Sequence, residues 1–148
     1  MLVIDPSVLK KILEESQTIA VVGLSPREDA ISHRVARYLQ KEGYRVIPVN
    51  PRAIDQLILG EQVYPTVSSI PYPVDIVNVF RRSEFLPAVA EDSVKAHAKV
   101  FWAQQGLFSQ EALDILNQAG IVTVVMDRCI KVDHQMLVEE TTNLACEI

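Results

Sequence analysis

The stretch Thr18-Ile-Ala-Val-Val-Gly-Leu-Ser25 constrains the chain most. A strand buried on both faces reads as an unbroken apolar run, and this one stops at Gly23 and Ser25 just before a helical pattern begins. A glycine there lets the chain turn tightly into a helix whose free N–H groups attract phosphate. The stretch therefore reads as the first strand-to-helix turn of a nucleotide-binding fold. Of the G-x-G-x-x-G pattern only the first glycine is present in Gly23-Leu-Ser-Pro-Arg-Glu28, so the turn alone does not name a ligand.

Four more apolar runs follow at intervals that leave room for a helix between them. Residues 44–49 end in Asn50-Pro51-Arg52, residues 75–80 in Arg81-Arg82, residues 99–103 in Gln104-Gln-Gly106, and residues 121–126 in Asp127-Arg-Cys129. The helices between them are marked by apolar stripes and stop signals. Asp5-Pro6 opens the first, with Val8, Leu9, Ile12 and Leu13 as its stripe, and it is expected to pack on the sheet edge. Ile31, Val35, Tyr38 and Leu39 share a face of the second, which Gly43 ends. Ser32 falls in its first turn, and His33 is read as a solvent-facing residue of that turn. Phe85, Leu86, Val89, Ala90 and Val94 mark the third, with Pro87 in its first turns. Ser109 caps a fourth with Leu113, Leu116 and Ala119 inward and Gly120 as its stop. Residues 130–145 show helical spacing at Ile130, His134, Leu137 and Val138.

Residues 53–73 break the alternation. Gly60, Pro65, Pro71 and Pro73 interrupt this long connection, in which residues 58–65 read as a helix end running into a turn. Connections of this length often wall a binding cleft.

Strands alternating with helices imply an α/β fold with a five-stranded, mainly parallel sheet, right-handed crossovers and helices on both faces. The expected strand order is 3-2-1-4-5. In such sheets ligands lie beyond the carboxyl ends, where the strand order reverses. One rim then collects Gly23 to Ser25, Asn50 to Arg52, Phe80 to Arg82, Gln104 to Gly106 and Cys129. At the end of the second strand a NAD-binding unit usually carries Asp or Glu for the ribose hydroxyls, whereas Asn50 and Arg52 stand here. The arginine suits a ligand with an extra phosphate near the ribose, such as NADP or coenzyme A, or else it is a solvated residue of an Asn-Pro turn. Arg81 and Arg82 are likewise either an anion site or an exposed charge run.

With 148 residues, 49% hydrophobic and 22% charged, the chain is expected to form a single domain, 1–148. The formal net charge of −5 argues against general binding to nucleic acid or anionic membrane. No run approaches bilayer-spanning length, and a cytoplasmic location is the expectation. Cys129 and Cys146 are too few for a disulfide framework or a four-ligand zinc site, and no metal site is expected.

Together, Ala20-Val-Val-Gly-Leu-Ser25, Val46-Ile-Pro-Val-Asn-Pro51, Ile58-Leu-Gly60 with Tyr64-Pro65, Trp102-Ala-Gln-Gln-Gly106 and Met126-Asp-Arg-Cys129 resemble one known family. It is that of the small single-domain CoA-binding proteins, relatives of the N-terminal domain of the succinyl-CoA synthetase α subunit. The likeness runs over roughly 18–134. It implies a Rossmann-like fold that binds coenzyme A or an acyl-CoA without catalysis of its own, so no catalytic residue is expected. By position, Gly23, Leu24 and Ser25 would hold the pyrophosphate, helped by Arg27 and Ser32. Asn50, Pro51 and Arg52 would meet the adenosine and its 3′-phosphate, Phe80 and Arg81 would close over the adenine side, and Gln105 and Gly106 would lie toward the pantetheine arm. Relatives often carry Asn-Pro before the arginine of the 26–31 segment, which this chain lacks. Cys129 is either a small buried strand-end residue or a thiol near that of bound CoA. Alternative readings are an NADP-dependent oxidoreductase and a CoA-sensing interaction module; under any of these readings the expected partners besides coenzyme A or an acyl-CoA are a second copy of the chain or an unknown protein.

Overall fold

The computed structural model describes residues 2–121 and 123–139. In chain order its elements are α1 (Pro6–Glu15), β1 (Thr18–Val22), α2 (Ile31–Lys41), β2 (Arg45–Val49), β3 (Leu57–Ile58), β4 (Glu61–Gln62), β5 (Ile76–Val79), α3 (Leu86–Lys95), β6 (Val100–Ala103), α4 (Gln110–Gln118), β7 (Thr123–Val125) and α5 (Ile130–His134). A 3₁₀ turn, Ser83–Phe85, leads into α3, and a wider turn, Gln135–Glu139, continues α5. The expected helix over residues 130–145 is described only to residue 139, and the remainder, with Cys146, lies outside the described residues.

Local chemistry accounts for the helix boundaries. Asp5 caps α1 by accepting from the Ser7 N–H at 2.9 Å, with Pro6 at the first helical position. Ser109 caps α4 through the Ala112 N–H at 3.1 Å. Pro87 sits in the first turn of α3, where no internal N–H bond is required. The stripes rotate slightly from their expected positions. Ile31 is exposed while Ser32 and His33 are buried, and Ala119 is exposed while Ala112 is buried.

Five parallel strands form the main sheet in the order β2-β1-β5-β6-β7. Numbering only these five, the order is 2-1-3-4-5, which corrects the expected 3-2-1-4-5. Pro48 supplies the reason. Its carbonyl points away from β1 and accepts from the Tyr64 N–H at 3.0 Å, so the N–H it lacks belongs to the same outer side. A proline on that side cannot serve a neighbouring strand and is confined to an edge. The connection after β2 takes that edge instead, with Tyr64 bridging Val49 and accepting from the Asn50 N–H at 2.9 Å. Ile76 therefore pairs with Ile19 on the opposite side of β1.

Within that connection, residues 57–62 are an antiparallel hairpin, not the expected helix end. Leu59 and Gly60 both have positive φ (53° and 79°), which suits a two-residue turn matched to strand twist.

Every residue of β5 and β6 is buried, as expected of central strands covered on both faces. α3 and α4 close one face over Val22, Val79, Phe101 and Val124. α1, α2 and α5 close the other over Ile19, Val21, Trp102 and Val125. The register aligns the carboxyl ends: Val22 pairs with both Val49 and Val79, and Val79 with Ala103. No helix among the described residues is long and apolar enough to cross a membrane.

Candidate functional site

The strand order reverses between β1 and β5, and the loops leaving these two strands meet there. Gly23 adopts φ +85°, and its N–H donates to the Val49 carbonyl at 2.8 Å. A Cβ at this position would stand 2.6 Å from the Phe80 carbonyl oxygen and 3.2 Å from Cγ of Arg81. Only a residue without a side chain lets the two loops approach this closely.

Asn50 braces the next loop. Its Nδ2 donates to the Leu24 carbonyl at 2.9 Å and its Oδ1 accepts from the Arg52 N–H at 3.0 Å. The amide at the end of β2 thus ties the β1 turn to the β2 turn, and Leu24 is fully buried beneath it. Ser25 is held from α2: its N–H donates to Ser32 Oγ at 3.0 Å, and its carbonyl accepts from His33 Nδ1 at 2.9 Å. A carbonyl only accepts, so Nδ1 carries the proton. His33 is 6% exposed, which corrects its reading as a solvent-facing residue: the loop carbonyl needed a donor, and the imidazole supplies it. Arg27 stays at the surface, where its guanidinium makes a bidentate pair with Asp29.

A cavity of about 590 Å³ opens at this junction. Gly23, Asn50, Pro51, Arg52, Phe80 and Arg81 all line it, so six of the residues expected at the site meet at one cavity. Arg82 joins them, and the Arg81 and Arg82 guanidinium carbons lie 4.3 Å and 5.6 Å from the centre of the Phe85 ring. Arg82 also pairs with Glu84 at 3.4 Å. Arg52, Arg81 and Arg82 bring three guanidinium groups to this one cavity, which makes it attractive to anions.

Other expected residues lie apart from the cavity lining. Gln105 and Gly106 form the exposed turn after β6, where the Gly106 N–H donates to Asp127 Oδ1 at 2.6 Å. Cys129 is half-buried ahead of α5 and packs against the core on the α1, α2 and α5 side. Beneath this rim Asn78 Nδ2 donates to Gln104 Oε1 at 3.1 Å, and the same oxygen accepts from the Ile130 N–H at 3.0 Å. Nearby, Arg128 forms a bidentate pair with the buried Asp133 at 2.7 and 2.8 Å, which raises the arginine's pKa. No cluster of potential metal ligands occurs among the described residues.

Sequence reasoning anticipated the 53–73 connection as a wall, and Pro65 and Thr66 line the cavity. The third helical segment also contributes to the lining, which its sequence did not mark. Phe85, Ala88, Val89 and Asp92 of the third helical segment face the same space. Their i, i+3, i+4, i+7 spacing was the available signal, but Asp92 breaks its apolar pattern.

A family model described as a CoA binding domain matches residues 17–135. The uncharacterized protein YneT of Bacillus subtilis is 53% identical over 126 residues, covering 85% of this chain and 91% of that protein. A solved Thermus thermophilus structure, that of cell-free ID.343, superposes with a TM-score of 0.86 at 35% identity, over 90% of this chain and 99% of the other. An ADP-forming acetate–CoA ligase of Archaeoglobus fulgidus is 30% identical over 76 residues, which is 51% of this chain and 11% of the ligase.

Proposed function

The chain belongs to the CoA-binding domain family, and from that premise we propose that its cavity binds coenzyme A or an acyl-CoA. The observation that carries this reading is the close approach of Gly23 to Phe80 at the reversal of strand order, beside a mouth lined by Arg52, Arg81 and Arg82. A diphosphate needs backbone N–H groups it can approach closely, and an additional phosphate needs cations beside the ribose.

In this reading Gly23, Leu24 and Ser25, at the entrance to α2, receive the pyrophosphate, with Ser32 and His33 holding that loop in shape. Arg27 stands at the same entrance and exchanges its Asp29 partner for phosphate. Asn50, Pro51 and Arg52 meet the adenosine and the 3′-phosphate, and Phe80 and Arg81 close the adenine side. Gln105 and Gly106 lie on the path of the pantetheine arm.

The protein acts as a single cytoplasmic CoA-binding domain with no catalysis of its own. The match to the acetate–CoA ligase covers only 11% of that enzyme, so the ligase reaction is not carried over to this chain. Calorimetric titration with CoA, dephospho-CoA and NADP tests the reading. CoA should bind at least tenfold more tightly than dephospho-CoA, since a charge-assisted phosphate contact is worth about 1.5–3 kcal/mol. Equal affinity removes the 3′-phosphate role from the arginines. Binding of NADP alone replaces the reading with that of an oxidoreductase.

A further inference from the structure

A second cavity lies at the other end of the sheet, away from the proposed CoA site. It is a groove of about 380 Å³ between α1 and the amino ends of the central strands. α1 contributes Val8 and Ile12 to it, and the starts of β6 and β7 contribute Val100 and Thr123. Val8 is 40% exposed. Exposed apolar residues scattered singly need no explanation, but Val8 shares this groove with Ile12 and Val100.

Four charged residues line the same groove, Lys11 and Lys99 against Glu15 and Asp75. Lys99 and Asp75 pair with each other at 3.3 Å, and Asp75 also accepts from the Gln17 and Thr18 N–H groups. Lys11 and Glu15 make no ion pair among the described residues. They stand four residues apart on one face of α1, but lysine ahead of glutamate is the weaker order for such a pair. The groove therefore carries no net charge in a chain whose formal net charge is −5. A strongly charged partner would meet a like charge at either Lys11 or Glu15. A second copy of the chain meets none: packed antiparallel about a two-fold axis, each α1 sets its lysine against the other's glutamate.

We propose that this groove is the interface of a homodimer, in which two α1 helices pack antiparallel, Val8 and Ile12 of each cover the groove of the other, and Lys11 of each faces Glu15 of the other. The inference is independent of the CoA reading, since the groove lies at the opposite end of the strands. α1 has ten residues and is about 15 Å long, so the contact is small and the dimer is a reversible one with Kd of about micromolar order.

Sedimentation equilibrium of the full chain over about 1–500 µM tests it. The wild type should pass from monomer to dimer within this range. Val8→Glu, which buries a charge at the contact but leaves the monomer's surface polar, should stay monomeric with unchanged circular dichroism. Lys11→Glu and Glu15→Lys should each weaken dimerisation by about tenfold, because a two-fold axis turns one reversal into two repulsive pairs. Mixing these two variants should restore association to within about threefold of wild type, since each new charge then faces its opposite. A wild type that stays monomeric overturns the inference and leaves the groove to a different partner. A dimer indifferent to Val8→Glu and to both reversals also overturns it, because the contact then lies elsewhere. So does a mixture that associates no better than either variant alone.

Discussion

Replacing Gly23 by alanine separates two costs that the structure assigns to different atoms. The positive φ of +85° costs an L-residue about 1–2 kcal/mol, wherever in the protein it occurs. The added Cβ would also stand 2.6 Å from the Phe80 carbonyl oxygen, a backbone atom that cannot rotate away. Relieving that overlap means prising β1 from the loop after β5, at an overpacking cost of about 1–3 kcal/mol. Gly43 provides the control: its φ is +100°, and nothing lies within 4 Å of its added Cβ. Gly43→Ala should therefore lose about 1 kcal/mol, and Gly23→Ala about 3 kcal/mol. For a chain of this length the second value lowers Tm by about 6–12 °C. Urea denaturation at 25 °C reads both, and calorimetric titration should show CoA affinity falling more than tenfold in Gly23→Ala alone. Equal destabilisation by the two substitutions would refute the close-approach argument, because backbone strain alone would then explain both.

Three further outcomes follow from hydrogen-bonded polar side chains. Burial first, then the charges of Glu42 and Glu14, push Tyr44 up to about 12. Its stabilising contribution is complete below the usual tyrosine value near 10 and declines as pH rises toward 12, and denaturation across this window should show Tyr44→Phe flattening the decline. Burial raises the pKa of Asp75, but N–H donation from Gln17 and Thr18 and the charge of Lys99 outweigh it and hold the carboxyl below its usual value. Its stabilisation is present above about pH 4 and is lost as pH falls through the depressed value, so the difference of about 1–2 kcal/mol between wild type and Asp75→Asn at pH 7 should shrink in acid. Asp133→Ala should cost about 2 kcal/mol in urea melts, less than a fully buried pair because the Arg128 side chain is 38% exposed, and no loss at all would exclude the pair as a brace.

Local sequence was sufficient wherever a structural choice depends on neighbours along the chain. Apolar runs marked the five main strands, Asp5 and Ser109 marked helix starts, and Gly23 marked the turn beside which the arginines of other strands would collect. Each of these rests on a side chain and backbone groups only a few residues away. Pairing order is different, since any parallel strand carries two edges and only competition among distant segments decides which is filled. Pro48 held the relevant information, but its meaning depends on which side of β2 its missing N–H faces. The same holds for His33, whose burial follows from the need of the Ser25 carbonyl for a donor. It holds also for Asp92, which reaches the cavity only because α3 packs against the 65–68 loop. The rim of the site was legible in sequence because parallel strands deliver their carboxyl ends to one edge. Its helical lining required the tertiary structure, because helix faces are assigned by what they pack against.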